Sequence, residues 1–318
     1  MPERQTAPYG SWSSPITSEL IVASTIGLGG ILIDGADVYW LESRPQENGR
    51  SVIVRCASDG SSVDVTPPLA GAGEATFSVR TRVHEYGGGS YLVSDGVVYF
   101  CNDADQRLYR QEPGGTPVAI TPEPARPRGL RYADGVMDAR RGRMIWVRED
   151  HTTAAPEPVN TLVEISLDGS RPQRMLHSGR DFYAAPRLSP DGSRLAWLEW
   201  GHPNMPWIGC ELWVAECAAD GSVGNKRLVA GGDDESVFQP EWSPDGALYF
   251  VSDRAQPSLE GRWWNLFRVR GDALDNSVRI EPVYPIAAEF GRAQWVFRLS
   301  TFAFASAAVA ARDATRST

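Results

Sequence analysis

Two segments of the sequence, 54 residues apart, share one pattern. Pro186–Trp197 and Pro240–Phe250 each contain a Ser-Pro-Asp-Gly turn, followed by an alternating apolar run that ends on an aromatic residue. The turn supplies a preset φ, a side-chain cap and a glycine for positive φ, and the alternation indicates a half-buried strand. A second pair of segments, Glu211–Ala215 and Asn265–Val269, keeps the same offset of 54 residues. Two strands at one offset predict a structural repeat.

The same unit recurs along most of the chain. A strand that ends on an aromatic residue is followed by a strand with an apolar core position, then by a turn and another short strand. The aromatic positions are Trp40, Phe100, Trp146, Trp197 and Phe250, and the core positions are Ile53, Leu108, Leu162, Leu212 and Leu266. The core positions lie 55, 54, 50 and 54 residues apart. A period of about 50 residues is typical of a propeller blade, so the sequence predicts an all-β fold, a β-propeller of four-stranded blades, in preference to a two-sheet sandwich.

The repeat also sets the predicted domain boundaries. Residues 1–21 are an N-terminal arm, residues 22–304 the propeller, and residues 305–318 a tail that fits no strand pattern. The predicted blades cover roughly residues 22–67, 79–122, 130–178, 182–231 and 236–282, with a partial blade at 290–304.

The partial sixth blade is predicted from Gln294–Phe297, which matches a first strand, and from Phe304, which closes a second strand. About five and a half blades leave the ring incomplete, whereas a propeller protects its sheet edges by closing its ring. We therefore expect this chain to be marginally stable alone. The sequence leaves open whether the chain ends here naturally, through a frameshift or by choice of boundary.

Charge and composition narrow the class of partner. The net charge is −9 and Lys226 is the only lysine among 31 basic residues, so nucleic acid is not an expected partner. The early apolar run Leu20–Ile33 is interrupted by three glycines and is too short to span a bilayer. It is predicted as a strand, and neither a membrane partner nor a signal peptide is expected. Four irregularly spaced cysteines indicate free thiols in a reducing compartment, which predicts the cytoplasm.

Motifs for catalysis or cofactor binding are missing from the sequence. It has no Gly-x-Ser-x-Gly nucleophile turn, no Walker loop and no dinucleotide fingerprint. The four histidines lack metal-ligand spacing, and the acidic run Asp233–Glu235 is interpreted as a solvated turn. We therefore predict no catalytic residue, no metal site and no cofactor in this chain.

Two stretches are more polar and aromatic than a blade requires. In Arg80–Ser90, His84 and Glu85 precede three glycines, which allow a backbone to approach another surface closely. This stretch is either a bulged first strand lining the central channel or a ligand-facing segment. The second, His202–Trp207, lies in a long loop within one blade, and such loops are often functional or form interfaces.

These stretches also carry a family resemblance. Together with Glu211–Ala215 they resemble the N-terminal propeller of prolyl oligopeptidase-family serine peptidases, with the dipeptidyl aminopeptidase and acylaminoacyl-peptidase branch the most similar. Further segments that look like this branch are Ala7–Trp12, Phe238–Gly246 and Ala288–Gly291. The resemblance covers roughly residues 6–304.

The resemblance implies a propeller that covers a C-terminal α/β-hydrolase domain carrying Ser, Asp and His, an enzyme that cleaves short or N-terminally blocked peptides. It implies that the propeller restricts access by size and contributes side chains to the cavity. None of the catalytic triad maps onto this chain. One departure is local: the family leads us to expect an acidic residue after Trp207 and a small polar one two further on, where this sequence has Ile208 and Cys210.

We therefore expect a substrate-gating and domain-docking propeller that is non-catalytic as it stands. Its expected partners are the α/β-hydrolase domain and a peptide substrate, and a homo-oligomer is left open. The candidate substrate contacts are His84, Glu85, Tyr86, Asn204 and Trp207. The alternatives are a stand-alone interaction propeller resembling the TolB or WD40 type, and a propeller enzyme such as a glycosidase or lactonase, which needs a central ring of carboxylates or metal ligands.

Overall fold

The computed structural model describes residues 6–11, 14–22, 25–68, 77–275 and 278–305. Within these ranges the protein has twenty β-strands in five four-stranded sheets, one α-helix (α1, Ser18–Val22) and two 3-10 turns, Pro45–Glu47 and Ala139–Arg141. The predicted all-β class with four-stranded repeats is confirmed. The start of the run Leu20–Ile33 was wrongly predicted as strand, because its first residues belong to α1. The predicted tail, from residue 306 onward, lies outside the described residues.

Each sheet is an antiparallel meander, because strands that are consecutive in sequence also pair in the sheet. The first sheet comprises β1 (Gly27–Asp34), β2 (Asp37–Arg44), β3 (Arg50–Cys56) and β4 (Ser62–Asp64); the second comprises β5 (Tyr91–Ser94), β6 (Val97–Cys101), β7 (Leu108–Gln111) and β8 (Val118–Ala119). The third comprises β9 (Leu130–Asp138), β10 (Arg143–Asp150), β11 (Val159–Ser166) and β12 (Arg174–His177). The fourth comprises β13 (Phe182–Leu188), β14 (Arg194–Trp200), β15 (Glu211–Cys217) and β16 (Val223–Gly231); the fifth comprises β17 (Val237–Trp242), β18 (Leu248–Ser252), β19 (Asn265–Arg270) and β20 (Arg279–Pro282).

The chain divides into two compact units, Met1–Ser78 with the first sheet and Val79–Thr318 with the other four. In the first unit, Val52 and Ile53 on β3 are fully buried. Arg44 at the end of β2 binds both carboxylate oxygens of Asp64 on β4, at 2.6 and 2.7 Å. This bidentate pair ties the last strand of the sheet to the second. No described helix of either unit is long and apolar enough to cross a lipid bilayer.

The core of the second unit is built from the second strands of its sheets. Phe100, Trp146, Trp197 and Phe250, the aromatic positions of the sequence repeat, are all fully buried. Truncating a large aromatic core residue typically costs about 3–5 kcal/mol, so these four positions make a large contribution to the stability of the unit. Consecutive residues of β10 and β14 are buried, so these sheets are covered on both faces, and the repeat supplies the side chains that pack there.

A positive φ recurs near the start of successive repeats in the second unit. It occurs at Asp134 (53°) on β9, Ala185 (51°) on β13 and Gln239 (48°) on β17, and also at Gly89 (55°) and Arg298 (58°), which lie outside the strands. In β9, β13 and β17 the pairing register shifts at this point, as it does when one strand carries an extra residue. The backbone N–H of Asp134 donates to the carbonyl oxygen of Gly89 at 2.9 Å. The bulges therefore join neighbouring first strands across the centre of the unit.

The Ser-Pro-Asp-Gly turns have the hydrogen bonds that their sequence predicts. Asp191 accepts a hydrogen bond from the Ser189 hydroxyl at 2.5 Å and from the backbone N–H of Ser193 at 3.0 Å. The Ser189 hydroxyl is the largest cause of the lowered pKa of the Asp191 carboxyl. Gly192 follows with a φ of 66°. These turns fix the hairpins that place β14 and β18 in the core.

The segment at 290–304, where a partial blade is predicted, forms no strand. Hydrogen bonds to other parts of the unit hold it in place instead. Phe297 makes a single parallel bridge with Gly88 and its N–H donates to Gly87 at 2.9 Å. The side-chain amide of Gln239 on β17 donates to the Phe302 carbonyl at 2.8 Å and accepts from the Thr301 N–H at 2.7 Å. The side chain of Gln239 thus forms the hydrogen bonds to this backbone that a neighbouring strand would otherwise form.

Candidate functional site

A cavity of about 500 Å³ opens in the second unit. Its walls are mostly aromatic: the rings are His84, Tyr86, Phe182, Trp200, His202, Trp207, Trp295 and Phe297. Its carboxylates are those of Glu85, Glu149 and Glu157, and the ring of His151 also lines it. The five residues proposed from the sequence as substrate contacts, His84, Glu85, Tyr86, Asn204 and Trp207, all line this one cavity. Two segments that are more than 100 residues apart in sequence therefore meet at one site.

The segment from His84 to Gly89 has an unusual backbone. His84 and Glu85 have φ values of 51° and 64°, and the three glycines that follow Tyr86 also have positive φ. Non-glycine residues rarely adopt this region, and each one costs energy that the surroundings must supply. The kink turns His84 into the cavity wall, and leaves the side chain of Glu85 exposed and the ring of Tyr86 60% exposed. Strain of this kind is concentrated where a site must hold a defined shape.

Glu149, on β10, holds the kink in place. Its side chain is 4% exposed, and it accepts hydrogen bonds from the His84 backbone N–H at 2.8 Å, from Arg131 at 3.1 Å and from the His151 ring at 2.5 Å. Arg131 also binds Glu85 at 3.1 Å. A buried carboxylate with three donors is well satisfied. Sequence analysis did not single out Glu149 or Arg131, because nothing local links β10 to the segment around His84.

The inner wall of the cavity is a cluster of rings around His84. The ring centroid of His84 lies 5.1 Å from Phe182, 5.5 Å from Trp200 and 4.9 Å from Phe297. Burial lowers the pKa of His84 to about 4, and this outweighs the opposite effects of Asn160 and Asp134. The Nε2 atom is buried and has no hydrogen-bond partner among the described residues. His84 is therefore neutral at pH 7 and belongs to an apolar wall.

Replacement of His84 by phenylalanine tests this assignment through the pH dependence of stability. The unfolded chain takes up a proton near pH 6.5 and the folded chain only near pH 4. Wild-type stability should therefore fall as pH decreases between these values, by on the order of 3 kcal/mol more than in His84→Phe. The measurement is urea unfolding from pH 7 to pH 4. If stability fell equally with pH in the two proteins, His84 would have the same pKa in the folded and unfolded chain, which would contradict the assignment.

The outer wall is a second aromatic group. The ring of Trp295 lies 4.4 Å from Trp207 and 5.2 Å from Tyr86, centroid to centroid. Trp295 is 49% exposed, and it was not among the residues proposed from the sequence, because Gln294–Phe297 was interpreted there as the first strand of a partial blade. Asn204 lines the cavity, but its side-chain amide donates to the Asp233 carbonyl at 2.9 Å. Its hydrogen bond therefore anchors the loop.

The departures at Ile208 and Cys210 have different structural consequences. Ile208 is 51% exposed and does not line the cavity. Cys210 is buried, and its thiol donates to the Val237 carbonyl at 3.0 Å. Burial raises the pKa of this thiol to about 12. Neither residue supplies a polar contact to the cavity.

The chemistry of the lining is suited to binding. No serine, threonine, cysteine or lysine is among the described residues that line the cavity. Among the described residues of the chain, no group of three or more His, Cys, Asp or Glu side chains is arranged to hold a metal ion. What remains is a set of aromatic faces, together with the exposed carboxylates of Glu85 and Glu157 and the buried carboxylate of Glu149. Such a lining can hold a ligand of limited size.

The chain as a whole is similar to solved structures of known proteins. No family model matches the sequence, and no curated protein matches it. Solved structures do match. A puromycin-hydrolysing peptidase of Mycobacterium tuberculosis is 38% identical over 92% of this chain and 44% of its own, with a TM-score of 0.77. A puromycin hydrolase is 34% identical over 93% of this chain and 44% of its own, with a TM-score of 0.80.

A more distant structure, prolyl oligopeptidase B from Galerina marginata, shares the fold, at 14% identity and a TM-score of 0.55 over 82% of this chain. The chain thus spans less than half the length of the puromycin hydrolases that it matches. In those peptidases the matching part is the propeller domain. Over more than nine-tenths of its length, the chain is similar to the β-propeller domain of peptidases of the prolyl oligopeptidase family.

Proposed function

We propose that this chain is the propeller part of a peptidase that acts on short peptides, where it lines the route to the active site and docks against an α/β-hydrolase domain. The proposal is supported by 34% and 38% identity to two puromycin-hydrolysing enzymes over more than nine-tenths of the chain. A puromycin hydrolase mutant has also been solved in complex with PGG. For this chain, a short peptide is accordingly the proposed ligand.

The observation that carries the proposal is the aromatic cavity. Its volume of about 500 Å³ lies within the range of about 300–1,000 Å³ that is typical of pockets for small ligands. Such a space accepts a few residues of an extended peptide and excludes a folded protein. A size limit of this kind is what a gating propeller imposes on the substrates of an attached hydrolase.

The remaining parts of the proposal concern boundaries, assembly and location. The arm at 1–21 and the blade limits given above remain predictions, and so does a homo-oligomer. The four cysteines are free thiols and three of them are buried. Free thiols are typical of reducing compartments, which supports the cytoplasm as the proposed location.

A chimeric enzyme tests the proposed function. The propeller of a puromycin hydrolase is replaced by residues 6–304 of this chain, and hydrolysis of short peptides is measured. We expect the chimera to cleave short peptides and to leave unfolded protein chains intact. A Trp207→Ala variant should raise KM about tenfold with little change in kcat, because a wall contact binds ground state and transition state alike.

Trp263→Ala is the matched control, because Trp263 is a partly exposed tryptophan outside the cavity, and it should leave KM unchanged. An active-site serine reagent establishes that the hydrolase part of the chimera is folded. The proposal is wrong if a chimera that reacts with this reagent cleaves no peptide. It is also wrong if unfolded proteins are cleaved as fast as tetrapeptides.

A further inference from the structure

A groove on the second unit is separate from the aromatic cavity and shares none of its described lining residues. It has a volume of about 650 Å³ and is lined by β8 of the second sheet and by the turn that joins β11 to β12 in the third. Gly169 in that turn packs closely on Ile120, because a Cβ there would lie 2.7 Å from the Ile120 carbonyl oxygen. We call this space the arginine groove, after its lining residues Arg148 and Arg171.

The charge of the arginine groove is positive. Arg148 and Arg171 line it, and no aspartate or glutamate does so within the described residues. By contrast, the whole chain has a net charge of −9 and the aromatic cavity is lined by three glutamates. Arg171 donates to the backbone carbonyl of Gly142 at 3.1 Å, and this hydrogen bond leaves its charge uncompensated. The groove therefore attracts an anion, whereas the aromatic cavity does not.

Arg148, on β10, is the partly buried cation of the groove. Its Nε atom is buried and has no hydrogen-bond partner within the described part of the chain. Asp150, two residues further along the strand, accepts hydrogen bonds from the hydroxyl and the N–H of Thr152 instead. A buried donor without a partner lowers the stability of a fold and requires an explanation. A ligand that accepts the hydrogen bonds of Arg148 supplies one.

The sequence repeat shows that the charge at this position is reversed in the third sheet. In the fourth sheet the indole N–H of Trp197 donates to Glu199, two residues further on, at 2.8 Å. The first sheet has the same pair of residue types at the same spacing, at 3.1 Å. In the third sheet the equivalent residue is Arg148, and the buried indole N–H of Trp146 has no partner among the described residues. A cation thus replaces the carboxylate that two other sheets carry.

Gln173 supplies an unpaired acceptor near this unpaired donor. Its amide N–H donates to the Tyr132 hydroxyl at 2.7 Å, whereas its buried Oε1 has no partner among the described residues. Tyr132 on β9 pairs directly with Arg148 on β10. Burial raises the pKa of the Tyr132 hydroxyl to about 12, against the opposing effects of Gln173 and Arg148. Arg148 and Gln173 therefore lie near the same hydroxyl group.

These contacts define the chemistry of a ligand. A guanidinium without a partner binds a carboxylate or a phosphate, and the free Oε1 of Gln173 requires an N–H donor. Ile120, Pro122 and Leu130 also line the groove and offer apolar contact. The last residue of a peptide chain has all three features, namely an α-carboxylate, an amide N–H beside it and a side chain. A free phosphate ion has only the charge.

We propose that the arginine groove binds the C-terminal residue of a peptide chain, with its carboxylate at Arg148 and its amide N–H at Gln173. An apolar side chain of that residue packs on Leu130, and the positive charge of Arg171 attracts the carboxylate from solution. The inference does not rest on the proposed function, because the groove and the aromatic cavity are lined by different residues. Binding is measured on the 318-residue chain.

Four probes separate the features of the ligand. They are N-acetyl-leucine, with carboxylate and N–H; N-acetyl-leucinamide, without the charge; 2-acetoxy-4-methylpentanoate, in which an ester oxygen replaces the N–H; and inorganic phosphate. Binding is followed by saturation-transfer NMR and by competition between probes. We expect N-acetyl-leucine to bind in the millimolar range, roughly as its few heavy atoms allow. The amide should bind about tenfold more weakly, and the acetoxy analogue about threefold to tenfold more weakly.

Three variants assign these features to residues. Arg148→Met keeps an apolar stem and should reduce the affinity for N-acetyl-leucine to that for the amide. Arg148→Lys keeps the charge but lacks the forked donors, so it should weaken binding less than Arg148→Met does. Gln173→Met should reduce N-acetyl-leucine to the affinity of the acetoxy analogue and leave that analogue unchanged. Thermal unfolding of Arg148→Met should be unchanged, because the guanidinium that it removes has no hydrogen-bond or ion-pair partner among the described residues.

Arg227→Met is the matched control. Arg227, on β16, also has a buried guanidinium nitrogen without a hydrogen-bond partner among the described residues, but it lies outside the groove. The control should bind N-acetyl-leucine as the wild-type chain does. Equal loss of binding in Arg227→Met and Arg148→Met would show that the groove is not the site, and would overturn the inference.

The probes also decide between a peptide terminus and any anion. Phosphate should displace N-acetyl-leucine only at concentrations about tenfold higher. If phosphate displaced it at equal concentration, or the amide bound as tightly as the acid, the assignment to a peptide C-terminus would be wrong. Absence of binding by N-acetyl-leucine, or unchanged binding in Arg148→Met, would overturn the inference as a whole. None of these outcomes depends on whether the chimera described above cleaves peptides.

Discussion

Asp134→Ala is expected to lower the free energy of unfolding by about 3–5 kcal/mol, because it removes a buried carboxylate and leaves two partly buried cations without their shared counter-charge. The Asp134 side chain is fully buried, 3.0 Å from the Arg187 guanidinium and 3.4 Å from that of Arg298. It also accepts the Ala185 N–H at 2.7 Å. Burial opposes the charge on Arg187, yet Asp134 and Glu241 hold its pKa above the ordinary value. The measurement is urea unfolding followed by tryptophan fluorescence.

A surface ion pair is the matched control. Glu281 pairs with Arg270 at 2.9 Å, and both side chains are largely exposed. Glu281→Gln should cost less than about 1 kcal/mol. Asp134→Asn should fall between the two, since it keeps the hydrogen bond to Ala185 and loses the charge. If Asp134→Ala lowered the free energy of unfolding as little as Glu281→Gln does, the central bulges would not depend on the carboxylate of Asp134.

The architecture of the sheets could be predicted from the sequence because its causes are local. The turn chemistry of Ser189–Gly192 and the alternation that follows it define a hairpin without reference to the rest of the chain. The repeat then places an aromatic residue on each second strand. Trp146, Trp197 and Phe250 are fully buried as that pattern requires. Local propensity and burial agree at these positions.

The bulges at the centre could not be predicted in the same way. Asp134, Ala185 and Gln239 adopt positive φ although none of them is glycine, so the sequence carries no local sign of them. Their conformation is imposed by contacts between neighbouring sheets, such as the bond from the Ala185 N–H to Asp134. Tertiary contacts of this kind override backbone preference.

One bulge also explains why part of the cavity wall was missed. Next to the turn, Leu188 on β13 pairs with Leu195 on β14. If regular antiparallel pairing continued from there, Tyr183 would lie opposite Trp200. The bulge shifts the register by one residue, so that Phe182 lies opposite Trp200 instead. A shift of one residue exchanges the two faces of a strand. Phe182 and Trp200 thereby reach the cavity together, an arrangement that turn chemistry and alternation alone do not predict.

The glycines after Tyr86 differ from these bulges, because the sequence predicted that they allow the backbone to approach another surface closely. In the structure, Gly88 approaches the backbone of Phe297. Gly88→Ala is expected to lower the free energy of unfolding by about 2–5 kcal/mol. A Cβ on Gly88 would lie 2.5 Å from the carbonyl oxygen and 2.7 Å from the nitrogen of Phe297, and the φ of Gly88 is +92°. Because the clashing atoms are backbone, no side-chain rotation can relieve the contact. The measurement is urea unfolding, together with KM for short peptides in the chimera.

Gly114→Ala separates backbone strain from this close approach. Gly114 also has positive φ, +68°, but a Cβ there would meet nothing within 4 Å, so only the strain of about 1 kcal/mol is expected. The excess loss in Gly88→Ala measures the contact with Phe297. Since Phe297 and Trp295 belong to the cavity wall, Gly88→Ala should also raise KM for short peptides in the chimera, whereas Gly114→Ala should not. Equal losses of stability in the two variants would mean that conformation alone requires glycine at position 88, and that the approach of Phe297 contributes nothing to holding the cavity wall.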